Sequence, residues 1–258
     1  MTSAPDPTQR FGARADAYSK ARPGYPPELV TELARDLSLP GDAIVVDVGC
    51  GTGISSELFL RAGFRVIGVE PNEAMRSHLG GLAAKFPAFR VVDGRSEATT
   101  LPDASADLAI AAQAFHWFDV PATRQEFLRF LRRPARVALI WNDRRTDGSE
   151  FSRRYEELLL EFGTDYREVA HRHTMEDRIT AFFGHARWRK RLHAHATPLD
   201  YETLAARLNS ASYVPAPGDA RHAPMMAGLH AIFDATQSHG IVSMEYETRV
   251  ISGEIEPS

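Results

Sequence analysis

The 258-residue chain has one cysteine, Cys50, so no disulfide can form within it. That usage fits a reducing compartment. No apolar run approaches the ~20 residues that cross a bilayer. The opening "MTSAPDPTQRFGARADAYSK" lacks the apolar centre of a secretion signal. The chain also has no excess of positive charge. The formal net charge is -4 and the pI about 6.2, so no overall field holds a polyanion. The expectation is a cytoplasmic protein with no membrane and no nucleic-acid partner. Internal repeats and low-complexity tracts are absent too. Two histidine pairs, His171 with His173 and His193 with His195, have no acidic or thiol cluster beside them, so no metal is expected.

What is present is ordinary globular composition, 43% apolar and 25% charged. Pro26 and Pro27 suit the first turn of a helix, and "PELVTELARDLSL" follows with Leu29, Val30, Leu33 and Leu37 at helical spacing. "AIVVDVG", "FRVIGVEP", "FRVVDG", "ADLAIAAQA" and "ARVALIWND" read as five strands. Between them come a helix from Ile54 to Ala62, one over "NEAMRSHLGGLAAKF" with Asn72 as its cap, and one from about Ala122 to Leu131. Unbroken β-branched runs alternating with helices predict a doubly wound, mostly parallel sheet in an α/β fold. After Asp143 the rhythm changes. Helical stretches are interrupted by "ARWRKRLHAHATPLD" and "VSMEYETRVISGEI", which alternate as strands. They are expected to close the sheet as an antiparallel pair under a helical cap, with 214–224 the mobile loop. The divisions are therefore an N-terminal lid segment and first helix over 1–40, a cofactor-binding core over 41–143, and cap plus closing strands over 144–258.

The chemistry gathers at "VVDVGCGTG", residues 45–53. A buried strand ends in Asp47, and Gly49, Gly51 and Gly53 fall at alternate positions before a helix. Glu70 ends the next strand, 19 residues after Gly51, near the ~20 expected between a glycine turn and a ribose-binding acid. A dinucleotide loop needs glycine where Ile54 stands, and a phosphate-cradling loop needs a lysine that is missing. Asp47 would repel a pyrophosphate but suits a cofactor carrying an ammonium and a sulfonium. Cys50 reads as a small residue that fits.

These residues resemble the first motif of class I S-adenosylmethionine-dependent methyltransferases. "VIGVEPNEAMR" resembles the second and "DGRSEATTLPDASADLAIAAQAFHWF" the third and fourth, with Leu101-Pro102 displaced by two residues. "RFGARADAYSKARPGYP" is similar to the N-terminal lid of a small-molecule, type 11-like subgroup. The resemblance covers roughly residues 9–143. It implies a Rossmann-like, seven-stranded fold and S-adenosyl-L-methionine as cofactor. It further implies that Gly49, Gly51 and Gly53 admit the methionine part, that Asp47 orients its ammonium, and that Glu70 binds the ribose. Pro71 to Met75, Ser96 and Glu97 lie by the adenine. Gln113, Phe115 and His116 surround the reactive end, and Tyr18 and Arg22 close over it. His116 and Tyr18 are the candidate catalytic residues, because imidazole titrates near neutrality and an aromatic face attracts a sulfonium.

The expected reaction is in-line methyl transfer to a small-molecule acceptor. Arginines around the expected site suggest a carboxylic acid, and Trp141, Arg144, Arg145 and Tyr155 are candidates to face it. The basic run "RWRKRLH" reads as a solvated strand face, with an anion-attracting rim as the alternative. Alternatives for the whole chain are a non-catalytic module binding the cofactor or its demethylated product, a methyltransferase acting on RNA or protein, and a nicotinamide dehydrogenase. The oligomeric state is not legible.

Overall fold

The protein is described here from a computed structural model, which describes residues 23–164, 166, 175–184, 187–211 and 213–257. Helix α1 (Glu28–Asp36) starts behind Pro26 and Pro27 and buries Leu29, Val30 and Leu33. The core follows as β1 (Ile44–Val48), α2 (Ile54–Arg61), β2 (Arg65–Val69), α3 (Glu73–His78), α4 (Gly80–Lys85), β3 (Phe89–Val92) and β4 (Ala106–Ala112). A single helical turn, Phe115–Trp117, leads into α5 (Val120–Phe130) and β5 (Leu131–Arg144). Then come α6 (Glu150–Phe162), α7 (Glu176–Phe183), β6 (Trp188–Leu199), α8 (Tyr201–Ser210), α9 (His222–Thr236) and β7 (Val242–Ile255).

The seven strands form one sheet in the order β3-β2-β1-β4-β5-β7-β6. The first five are parallel, β7 is antiparallel to β5, and β6 is antiparallel to β7. The expected closing pair is therefore present. The period-two alternation of the strands sorts their side chains into two cores. Val46, Val48, Ala109, Ala111, Leu139 and Trp141 pack on one face with Phe127, Phe130 and Phe182 of α5 and α7. Val45, Val66, Leu108, Ile110 and Ile140 pack on the other with α1 and α2. A third core forms where α6, α8 and α9 cover the first half of β7, through Tyr155, Leu159, Leu204, Leu208, Met225, Leu229 and Met244. This is the cap.

Two details depart from the expected elements. The helix read over "NEAMRSHLGGLAAKF" is two short helices meeting at Leu79, where the Gly80-Gly81 pair weakens the helix. The segment 214–224 is a loop only as far as Arg221, since His222 already opens α9. No helix among the described residues is long and apolar enough to cross a membrane.

Candidate active site

Because β1, β2, β4 and β5 run parallel, their carboxyl ends share one edge of the sheet. Crevices at that edge are where α/β sheets bind ligands. The glycine loop leaves β1 there and folds over the end of β2: Gly49 and Cys50 both donate their N–H to the Val69 carbonyl, at 2.8 and 3.2 Å. Gly49, Gly51 and Gly53 all have positive φ, at 71°, 54° and 85°. Their surroundings differ. A Cβ on Gly49 would come within 2.8 Å of Ala114 Cβ, and one on Gly53 within 2.7 Å of Leu79. A Cβ on Gly51 would meet nothing within 4 Å. Two of the glycines thus serve packing of the chain on itself, and only Gly51 faces open space. Cys50 is buried, and its Sγ would lie 2.7 Å from a Cβ on Gly68, as a filler of that gap.

Glu70 is buried behind Gly51. Its Oε2 accepts the Gly51 N–H and its Oε1 the Asn72 N–H, both at 2.9 Å. Each oxygen retains capacity to accept a further hydrogen bond. Burial nevertheless holds its carboxyl above the usual range. Arg76, paired with Asp93 at 3.1 Å, also donates to the Glu70 carbonyl at 2.7 Å and steadies the strand end. Asp47 lies deeper and has no exposed surface. Its Oδ2 accepts the hydroxyls of Ser55 and Ser56, both at 2.7 Å, and its Oδ1 has no partner. Burial pushes its carboxyl up to about 6. The nearby Thr52 hydroxyl is likewise buried without a partner. Leaving such groups unpaired costs about 1–3 kcal/mol each. An ammonium-bearing, hydroxyl-rich ligand fits this set: two buried carboxylates, orphaned oxygens and one open glycine. Asp47 lies beneath the loop, and its burial leaves no surface for direct contact with a ligand.

Around this edge the structure places the other expected residues in different ways. Pro71 follows Glu70 half-buried, and Met75 is buried where Asn72 Oδ1 caps α3 by accepting the Met75 N–H at 3.0 Å. Ser96 is buried and held by Thr123, which donates to it at 2.9 Å, while Ser96 donates to Glu97 at 2.8 Å. Glu97 is exposed on a tight turn closed by reciprocal Arg95–Ala98 backbone bonds at 3.1 Å. Gln113 follows β4 with φ 56°, held by its N–H to the Ile140 carbonyl at 2.9 Å and its amide to the Asn142 carbonyl at 3.0 Å. Such a conformation at a non-glycine residue persists only where its surroundings enforce it. His116 is half-buried with its ring centroid 4.8 Å from that of Trp117, which is 40% exposed. Phe115 faces inward. Its ring is fully buried, edge-on to Phe118, Trp141 and Phe182 at 5.9, 6.3 and 5.2 Å. It is a core residue, because the turn after β4 aims it into the aromatic layer. Trp141 is its buried neighbour in that core and likewise does not face a substrate. Tyr18, Arg22, His171 and His173 lie outside the described residues.

Sequence reasoning missed Ser55 and Ser56, whose signal was their position one turn into the helix that follows Asp47. It also missed Asn142, which joins four segments. Its amide donates to the Gly24 carbonyl at 2.9 Å, its Oδ1 accepts from Thr248 and lies 3.4 Å from His195, and its own carbonyl takes Gln113. The basic run on β6 is not a rim of the crevice. Arg191 and Arg189 reach Asp36 of α1, at 2.5 and 3.9 Å, and Arg191 also approaches Glu32 at 3.6 Å. Among the described residues, no three His, Cys, Asp or Glu side chains cluster to hold a metal.

Comparison with known proteins agrees with this geometry. Residues 46–139 match the family described as a methyltransferase domain. An uncharacterized methyltransferase of Mycobacterium tuberculosis is 36% identical over 140 residues, 54% of each chain. A protein of Saccharomyces cerevisiae named as an S-adenosylmethionine-dependent methyltransferase is 29% identical over 123 residues, 45% of this chain and 40% of that one. The chain thus matches about half the length of such curated relatives. A solved structure described as a type II methyltransferase from Anaeromyxobacter dehalogenans superposes with a TM-score of 0.68 at 25% identity, covering 92% of this chain and 99% of that one. Residues 46–139 are thus similar to a methyltransferase domain, on a fold shared with a methyltransferase of known structure.

Proposed function

We propose that the protein transfers a methyl group from S-adenosylmethionine to a small-molecule acceptor bound between the glycine loop and the cap. The observation that carries this reading is Gly51. It alone of the loop glycines would point a side chain into open space, and it sits on the carboxylate of Glu70. When bound, S-adenosylmethionine supplies an electrophilic methyl carbon on a sulfonium, and its sulfur leaves as a neutral thioether.

The chain's own work is to bind, align and keep out water. Gly51 and the peptides beside it admit the methionine tail, Asp47 stabilises its ammonium through the loop, and Glu70 accepts the ribose hydroxyls. Pro71, Met75, Ser96 and Glu97 border the adenine. Gln113, fixed to β5, sets the wall of the reactive end. His116 takes the proton from an acceptor oxygen or nitrogen as its new bond to carbon forms. Alignment of this kind contributes about 7–11 kcal/mol in well-oriented reactions, so no covalent enzyme intermediate is required. The acceptor class favoured by the residues beyond β4 is a carboxylic acid.

The test is transfer of tritium from methyl-labelled cofactor into a mixture of small organic acids. Label in the acid fraction, reduced by Glu70→Ala, supports the reading. Label that remains in the cofactor, or passes only into RNA or protein, overturns it.

A further inference from the structure

The cap and the closing strands enclose a second charged cluster that the glycine-loop site does not use. It forms where β5 ends, since Arg144 pairs in register with Tyr246 of β7, and Tyr246 with His195 of β6. Arg144 lies over the ring of Tyr155, 5.0 Å from its centre, and donates to the Tyr166 hydroxyl at 2.9 Å and to Glu156. From α8, Arg207 donates to the Tyr246 hydroxyl at 2.6 Å and lies 3.8 Å from the Met244 sulfur. Both guanidinium groups act on buried Tyr155.

The charges do not balance. Glu156 answers Arg144, but no carboxylate among the described residues pairs with Arg207. The donors do not balance either: Arg144 Nη1 and Arg207 Nε are both buried without an acceptor. Buried cations and buried N–H groups ordinarily have partners, and a guanidinium fork matches a carboxylate. Arg249 differs. It lies across the sheet over Trp141, with Asp143 at 3.5 Å.

We infer that Arg207 and Arg144 form the anchor for an anionic group of the acceptor, a carboxylate held among tyrosines and apart from the atom that is methylated. This rests on the proposed function above for the identity of the second ligand. The separation follows from the sheet. Tyr246 stands on β7, two strands from β4, which Gln113 follows directly. At the usual strand spacing that is about 9–10 Å. An anion seated at Arg207 is therefore not itself the methyl acceptor. The substrate class is a bifunctional acid, such as a dicarboxylic acid or a hydroxy or amino acid, whose nucleophile lies several bonds from its anchored carboxylate.

The test uses the full chain saturated with S-adenosylhomocysteine and titrated, by thermal shift, with short linear dicarboxylates and hydroxybenzoates and with their matching amides. Selective binding to the native state appears as a concentration-dependent rise in Tm. The inference predicts at least one acid that binds about tenfold or more tightly than its amide, and Arg207→Met abolishing that preference. Arg207→Lys should keep part of it. If no acid outperforms its amide, or if Arg207→Met retains the preference, the inference is overturned. Should Arg207→Met fail to fold, the wild-type comparison of acid with amide decides. Calorimetry of S-adenosylhomocysteine alone separates the two claims. Its failure removes the cofactor reading, whereas tight binding that leaves acids and amides equivalent removes only the anchor.

Discussion

The two halves of the carboxyl edge are built by different means. The half at β1 and β2 is built from backbone: a loop with positive φ at three glycines, N–H groups satisfied by Val69 and Glu70, and carboxylates sunk beneath it. The half at β5 and β7 is built from long side chains, Arg144, Arg207, Tyr155 and Tyr246, brought together by docking of the cap. Backbone geometry tolerates few sequences, and the family match ends at residue 139, before the side-chain half begins. On the proposed function, that division is the one between a shared cofactor and a chain-specific acceptor.

The contrast can be broken at the glycines, where the largest effect is expected. Gly49→Val places a branched side chain at φ 71° with its Cβ 2.8 Å from Ala114, and should cost about 3 kcal/mol or more in urea unfolding. A stability within 1 kcal/mol of wild type, roughly the lower limit of that strain, would contradict the packing role. Asp47 gives the next effect. Burial holds its folded pKa at about 6, above the 3.8 of an ordinary aspartate, so the native state binds more protons between those values and stability falls as pH rises through them. The wild-type curve should lose up to about 3 kcal/mol relative to Asp47→Asn across that window. Parallel curves would show that Asp47 is ordinary in the folded state. Glu70→Ala should weaken S-adenosylhomocysteine binding by about tenfold or more, in line with hydrogen bonds to a charged group. The smallest effect on that affinity is expected from Arg207→Met. Its change should stay within about twofold, because the cap arginine belongs to the acceptor side. A tenfold loss there would merge the two halves into one site.

How far these features were legible follows the same division. The strands through β5 and the cap of α3 at Asn72 are encoded locally, by β-branched runs and by one side chain three residues from its target. The Gly51–Glu70 spacing is likewise a short-range pattern, 19 residues across one βαβ turn. Phe115 was readable as aromatic but not as inward-facing, because its direction depends on the single turn after β4 and on Phe182 of α7. The Arg207–Tyr246 bond spans 39 residues and exists only because α8 docks on β7, which no periodicity in either segment announces. The burial of Asp47 under Ser55 and Ser56 was hidden for a related reason: strand end and helix start were both visible, but their closeness belongs to the crossover.

The claim on which the rest depends is that the cofactor lies in the open space before Gly51. Calorimetric titration of S-adenosylhomocysteine into wild type and Gly51→Val tests it most directly, with urea unfolding run on both. The account predicts binding to wild type and an affinity at least about tenfold lower in Gly51→Val, while stability falls only by the roughly 1–2 kcal/mol of a strained φ. Equal affinity in the two proteins would contradict it.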